Sequence, residues 1–163
     1  THNKEVEKTA RSLSESFELV KLSENKPTAS VHQDVVDYNH TEEKIDILQE
    51  ILKQNDVSKT IVFVQTKRYA DKINKVLRQQ QFRADVIHGD KRQNYRKKVI
   101  NKFRDSHINV LVATNVAARG IDIDDISHVI NFDEPDTHDE YIHRIGRTGR
   151  NGSTGVALTF VKK

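Results

Sequence analysis

The segment Thr60-Ile61-Val62-Phe63-Val64-Gln65-Thr66-Lys67 decides the fold. Its first five residues are β-branched or aromatic with no polar alternation, as in a strand buried on both faces. Directly after it, Tyr69, Ile73, Val76 and Leu77 recur at spacings of three and four, which predicts an amphipathic helix over 68–80. A short buried strand that runs into such a helix is the first half of a βαβ unit.

The same alternation continues toward the C-terminus. Strands are expected at 84–87, 109–113, 128–132 and 155–161, with a helix over 92–104 that carries Tyr95, Val99, Ile100 and Phe103. Toward the N-terminus, Ile45, Leu48, Ile51 and Leu52 share one face of a helix expected over 42–55, with Thr41 as its cap. Residues 31–38 alternate weakly and suit an edge strand. Together these elements predict an α/β fold, a doubly wound parallel sheet with helices on both faces. Residues 23–30 read as a linker; before them, 5–14 is weakly helical and 17–22 weakly strand-like, too little for a core.

With 163 residues the chain can bury one good core. It contains no methionine and starts at Thr1, which leads us to expect a piece of a longer protein. The absence of a long apolar run or leader argues against a membrane span or signal peptide. Without cysteine there is neither a disulfide nor a thiolate metal site, which suits an intracellular chain.

The net charge of +3 conceals a strong asymmetry. Residues 1–58 hold 7 basic and 12 acidic side chains, whereas 59–104 hold 14 and 3. Residues 105–143 hold 1 basic and 9 acidic side chains, and 144–163 hold 5 basic and no acidic ones. The first basic block suits a polyanion, since lysine and arginine neutralise phosphates and release counterions. Solvated helix faces would leave the same trace.

Ligands of open α/β sheets bind beyond the carboxyl ends of the strands. Each expected strand here ends in a polar cluster: Gln65-Thr66-Lys67; His88-Gly89-Asp90 with Gln93 and Arg96; 114–122; and Asp133-Glu134-Pro135. Before the last strand stands His143-Arg144-Ile145-Gly146-Arg147-Thr148-Gly149-Arg150. Arginine forks match phosphate oxygens. Two glycines in a helix-like stretch, at about 1 kcal/mol each, suggest that the backbone must approach something closely, such as a polyphosphate or a nucleic acid. Read singly, Thr66 is an ordinary cap, His88-Gly89-Asp90 a tight turn needing positive φ, and Asp122 part of an acidic loop. There is no G-x-x-x-x-G-K-[ST] loop, no dinucleotide fingerprint and no paired-histidine metal spacing. Phosphate donors without a phosphate-binding loop point to half of a composite site.

These motifs resemble the second, C-terminal RecA-like domain of DEAD-box ATP-dependent RNA helicases, in superfamily two. The segment 63–67 looks like motif IV, His88-Gly89-Asp90 with Gln93 and Arg96 matches H-G-D-x-x-Q-x-x-R, 112–122 looks like motif V, 129–135 is similar to the stretch that follows, and 143–150 matches motif VI. His143, where related helicases carry glutamine, favours the DEAD-box branch. The resemblance implies a remnant of the first domain at 1–22, an interdomain linker and first strand at 23–40, and a helicase C-terminal RecA-like domain at 41–163. It departs from the family at Asn115, where aspartate is usual, and at the end, where a closing helix usually follows.

By resemblance, Arg147 and Arg150 are arginine fingers for the γ-phosphate of ATP with Mg held mainly by the first domain. His143 ties that site to the first domain's acidic motif, and Asp122 takes the ATP ribose. Thr66, Gly89, Arg96, Thr114 and Gly120 hold the RNA backbone, and Arg119 fixes the interdomain interface beside it. The implied activity is RNA-stimulated ATP hydrolysis that locally unwinds RNA duplexes or remodels ribonucleoproteins. The implied partners are RNA bound without sequence preference, the first RecA-like domain of the same chain and regulatory proteins, with no membrane. The implied setting is the cytoplasm, or the nucleus in a eukaryote; this segment alone is expected to be inactive. A DNA-directed motor, a docking module and a Rossmann-type enzyme remain as alternatives, separable by DNA stimulation, by absence of turnover and by NAD binding.

Overall fold

The computed structural model describes residues 30–150 and 152–163. The expectations for 1–22 and nearly all of the 23–30 linker lie outside the described residues. Six strands, β1 (Ser30–Tyr38), β2 (Thr60–Phe63), β3 (Ala84–Ile87), β4 (Val110–Ala113), β5 (His128–Asn131) and β6 (Thr154–Lys162), form one sheet. The order is β1-β6-β5-β2-β4-β3, and every pairing is parallel. The connections carry α1 (Lys44–Leu52), α2 (Lys67–Gln79), α3 (Gln93–Arg104), α4 (Asn115–Ala118) and α5 (His138–Ile145). This is the doubly wound α/β sheet that the alternation predicts.

Two apolar layers follow from the strands' period of two. Val62, Val86, Val112 and Ile130 pack with α1 and α2, whose Leu48, Ile73 and Leu77 are fully buried. Ile61, Ile87, Leu111 and Val129 point the other way, onto Val99 and Phe103 of α3 and onto Ile121 and Ile126. Near β1 and β6, Tyr141 and Ile145 of α5 cover Val31 and Ala157. The Tyr141 hydroxyl donates to Gln33 Oε1 at 2.7 Å, and burial pushes its pKa up to about 12. Among the described residues no helix is long and apolar enough to cross a membrane.

The entry to α1 differs from the expectation. A 3-10 turn, Thr41–Glu43, precedes the helix, so Thr41 lies inside the turn and does not cap it. The Glu43 carboxylate instead accepts the backbone N–H groups of Asn39 and His40, which hold its carboxyl below the usual range. Glu43, third in the turn, thus reaches back to the N–H of His40, the carboxylate half of a capping box, which Thr41 is too early in the turn to do. The helix also ends at Leu52, before 55, because Gln54 and Val57 enter successive turns.

Candidate functional site

All strands point the same way, so their carboxyl ends share one rim. The β4-to-β5 connection crosses over β2, which makes the space beyond β4, β2 and β5 a topological switch point. A cavity of about 610 Å³ opens there, lined by Phe63, Asn115, Arg119, Glu140, His143, Arg144 and Arg147 among others. Its walls are α4 and α5. Thr137 caps α5, accepting from Glu140 N at 3.1 Å, and so fixes the first turn of the helix that carries His143 and Arg144.

The run divides by burial. Arg144 is 3% exposed and belongs to the scaffold. Its Nε donates to Asn115 Oδ1 at 2.8 Å, and its Nη1 to Asn131 Oδ1 at 3.2 Å and to the Asp133 carbonyl at 2.8 Å. Its guanidinium also lies 5.1 Å from the centre of the Phe63 ring. Burial pulls its pKa down, against the opposing pull of Glu140, Asp133 and Asp136. Asn115, the departure from the family pattern, is thus a neutral partner of a buried cation.

Arg147 and Arg150 reach the loop that follows α4. Arg147 Nη1 donates to the Ile121 carbonyl at 2.7 Å. Burial and then the neighbouring Arg150 charge lower the Arg147 pKa, with Asp122 opposing. Arg150 Nη1 lies 2.8 Å from Asp122 Oδ1, and the Asp122 side chain is well exposed. The structure therefore brings Asp122, Arg147 and Arg150 into one cluster. His143 is exposed on α5 and shares the cavity wall with Arg119 and Arg147.

The glycines of the run serve the fold's own packing. Gly146 ends α5, and Gly149 turns the chain with φ of +66°. A Cβ on Gly155 of β6 would lie 2.5 Å from Gly149 N and 2.8 Å from Thr148 Cγ2. At Gly149 the close backbone approach is made to β6. Thr148, 1% exposed, secures it by donating its hydroxyl to the Ile126 carbonyl. Composition gives no hint of Gly155, because its clash partner lies in another element.

The remaining candidates stand along the same rim. Thr66 caps α2, accepting from Tyr69 N at 3.2 Å, and opens onto a second cavity with Arg68, Tyr69 and Lys72. His88 Nδ1 accepts from Asp90 N at 3.2 Å, which leaves Nε2–H to donate to Asp71 at 2.9 Å, so this histidine is a brace. Gly89 is exposed with open space where a Cβ would stand, and it lacks the positive φ expected of a tight turn. Thr114 precedes α4, and Gly120 turns the chain after it with φ of +76°. Arg96 spends its fork on the fold, donating to the Ala117 carbonyl at 3.2 Å and the Arg119 carbonyl at 2.9 Å. It shapes the 117–120 turn from below. No group of three or more histidine, cysteine or acidic residues suited to a metal occurs among the described residues.

Residues 43–152 match the helicase conserved C-terminal domain family. The chain is 44% identical over 139 residues to the ATP-dependent RNA helicase dbp2 of Aspergillus niger, covering 85% of this chain and 24% of the relative. It is 42% identical over 147 residues to the ATP-dependent RNA helicase CshA of Listeria monocytogenes, covering 90% and 28%. The chain thus spans about a quarter of the length of these curated relatives. Among solved structures, the E. coli DEAD-box protein SrmB bound to the regulator of ribonuclease activity A aligns with a TM-score of 0.77 at 38% identity, over 85% of this chain and 79% of that one. S. cerevisiae Dbp5 bound to RNA and ADP BeF3 aligns with a TM-score of 0.73 at 36% identity, over 84% and 36%. A parallel sheet wound in this order, with an arginine-bearing rim and relatives of this closeness, makes the chain a RecA-like C-terminal domain of the DEAD-box RNA helicase family.

Proposed function

We propose that this domain is the second half of an RNA-stimulated ATPase that locally unwinds RNA duplexes or remodels ribonucleoproteins in the full-length protein. The observation that carries this reading is the convergence of Arg147, Arg150 and Asp122 on one loop, on the rim that also bears Thr66, Gly89, Thr114 and Gly120. Two guanidinium groups beside an exposed carboxylate fit a nucleotide's phosphates and ribose hydroxyls. ATP with Mg is held chiefly by the first RecA-like domain.

In the free domain Arg147 and Arg150 rest on the Ile121 carbonyl and on Asp122. When the domains close, phosphate oxygens replace these partners. Charge then builds on the transferred phosphoryl group where both forks can neutralise it. Asp122, released by Arg150, accepts the ribose hydroxyls. His143 and Arg119, exposed at the cavity mouth, meet the first domain. RNA lies along Thr66, Gly89, Thr114 and Gly120, with Arg96 holding the turn from behind. Backbone and hydroxyl contacts of this kind grip a strand without reading its sequence. ATP and RNA both favour closure, so each strengthens binding of the other.

Dbp5 bound to RNA and ADP BeF3 supports RNA and a nucleotide as ligands for this fold, and SrmB bound to its regulator supports a protein partner. The test is ATP hydrolysis by the full-length protein with and without single-stranded RNA, beside Arg147→Ala/Arg150→Ala. The double substitution is expected to reduce RNA-stimulated turnover by about 10³-fold or more while altering ATP binding little. Turnover within about tenfold of the unsubstituted protein would refute the finger assignment. Stimulation by DNA alone would replace RNA helicase with another motor.

A further inference from the structure

Lys44, the first residue of α1, is 4% exposed. Its ammonium lies 4.3 Å from the centre of the Phe132 ring, 4.8 Å from that of Tyr38 and 6.0 Å from that of Phe160. Its salt-bridge partner is Asp133 Oδ1, at 3.2 Å. Replacing a buried ion pair with apolar residues of similar volume is often neutral or stabilising, so packing alone does not account for a charge here.

The second carboxylate oxygen shows what the charge accomplishes. Asp133 Oδ2 accepts the Gln65 N–H at 2.7 Å, and Gln65 leads directly into Thr66, the cap of α2. The Asp133 carbonyl, in turn, accepts from Arg144 of α5 at 2.8 Å. One residue therefore joins the start of α1, the loop after β2 and the helix that carries the arginines. Lys44 orients this carboxylate from below, because a lone aspartate at the end of β5 could rotate into solvent.

We infer that Lys44 and Asp133 are positioning residues that hold the Gln65-Thr66 loop at the height where it meets the RNA backbone, in register with the arginine helix. This inference rests on the RNA track proposed above. Its signature is a change in RNA affinity that exceeds any change in maximal rate.

The experiment is ATPase activity of the full-length protein titrated with single-stranded oligouridylate, for the unsubstituted protein, Lys44→Met, Asp133→Asn, the double variant and Leu52→Ala. Loss of one charge-assisted contact is expected to raise the half-stimulating RNA concentration about tenfold in Lys44→Met, with kcat and the KM for ATP within about twofold. The double variant should be no worse than the more severe single one, because both act through one carboxylate. Leu52→Ala, in the same helix and apolar layer, lowers Tm without shifting the RNA titration. Asp133→Asn removes the charge and leaves one side-chain oxygen where Lys44 and Gln65 each used their own, so it provides the same readout should Lys44→Met fail to fold. An unshifted RNA titration in both single variants, or an equal shift in Leu52→Ala, would overturn the inference. If RNA does not stimulate the unsubstituted protein, the RNA reading falls first and this inference with it.

Discussion

Asn115→Asp should stabilise this domain, and only above the titration range of the new carboxyl. In the present structure the buried Arg144 guanidinium donates its Nε to a neutral amide oxygen 2.8 Å away, and burial already pulls its pKa down. A carboxylate of the same size accepts that hydrogen bond with full charge. Asn115 is only partly buried, so the desolvation that opposes the gain is incomplete. A charge-assisted bond is roughly twice as strong as a neutral one, which places the net gain at about 1–2 kcal/mol. The new aspartate's folded pKa falls below its unfolded value of about 3.9. A depressed carboxyl contributes its stability above the unfolded pKa and loses it as pH falls through the folded one. Urea unfolding of the domain at pH 7 should therefore show a higher midpoint with unchanged slope, and the two proteins should converge only as pH falls to about 2. In an Arg144→Met background the gain should vanish. Equal or lower stability at pH 7, or a gain that persists in acid, would refute the view that Arg144 lacks a charged partner at this position.

Two further predictions test residues at the starts of β5 and β6. Gly155→Ala should destabilise by about 1–3 kcal/mol through overpacking, because the new methyl meets the Gly149 backbone and Thr148; a change below about 0.5 kcal/mol in urea unfolding would show that the arginine loop can retreat. His128, 4% exposed, has its pKa lowered by burial against a weaker opposing pull from Asp56, so its NMR titration should fall below the ordinary value of about 6.5. Its folded pKa lies below the unfolded one, so its contribution holds above the unfolded value and is lost as pH falls through the folded value. A midpoint at or above about 6.5 would contradict this burial argument.

Much of the architecture was legible because burial writes itself into local pattern. The runs at 60–64, 84–87 and 109–113 could only be strands covered on both sides, and the three–four spacing of Tyr69, Ile73, Val76 and Leu77 only a helix with one wet face. Parallel strands with polar residues at their carboxyl ends then set Thr66, Gly89 and Thr114 on one rim. Helix entry was less legible: Thr41 looked like a cap, yet Glu43, third in the turn, is the residue that reaches back to the N–H of His40.

Tertiary structure alone decided which arginine is buried and which partners each one meets. Arg144, Arg147 and Arg150 are chemically identical and evenly spaced, yet the first is buried against Asn115, Asn131 and Asp133 while the others reach Ile121 and Asp122. Their partners lie far from them in sequence, so no local period records them. The order β1-β6-β5-β2-β4-β3 determines which loop stands opposite which helix. The same holds for Lys44, which reads as an ordinary exposed position at the start of α1 until Phe132, Phe160 and Asp133 close over it. Sequence periodicity reports how much of a residue is buried, whereas the identity of its neighbours depends on how the crossovers pack, and that is a property of the whole sheet.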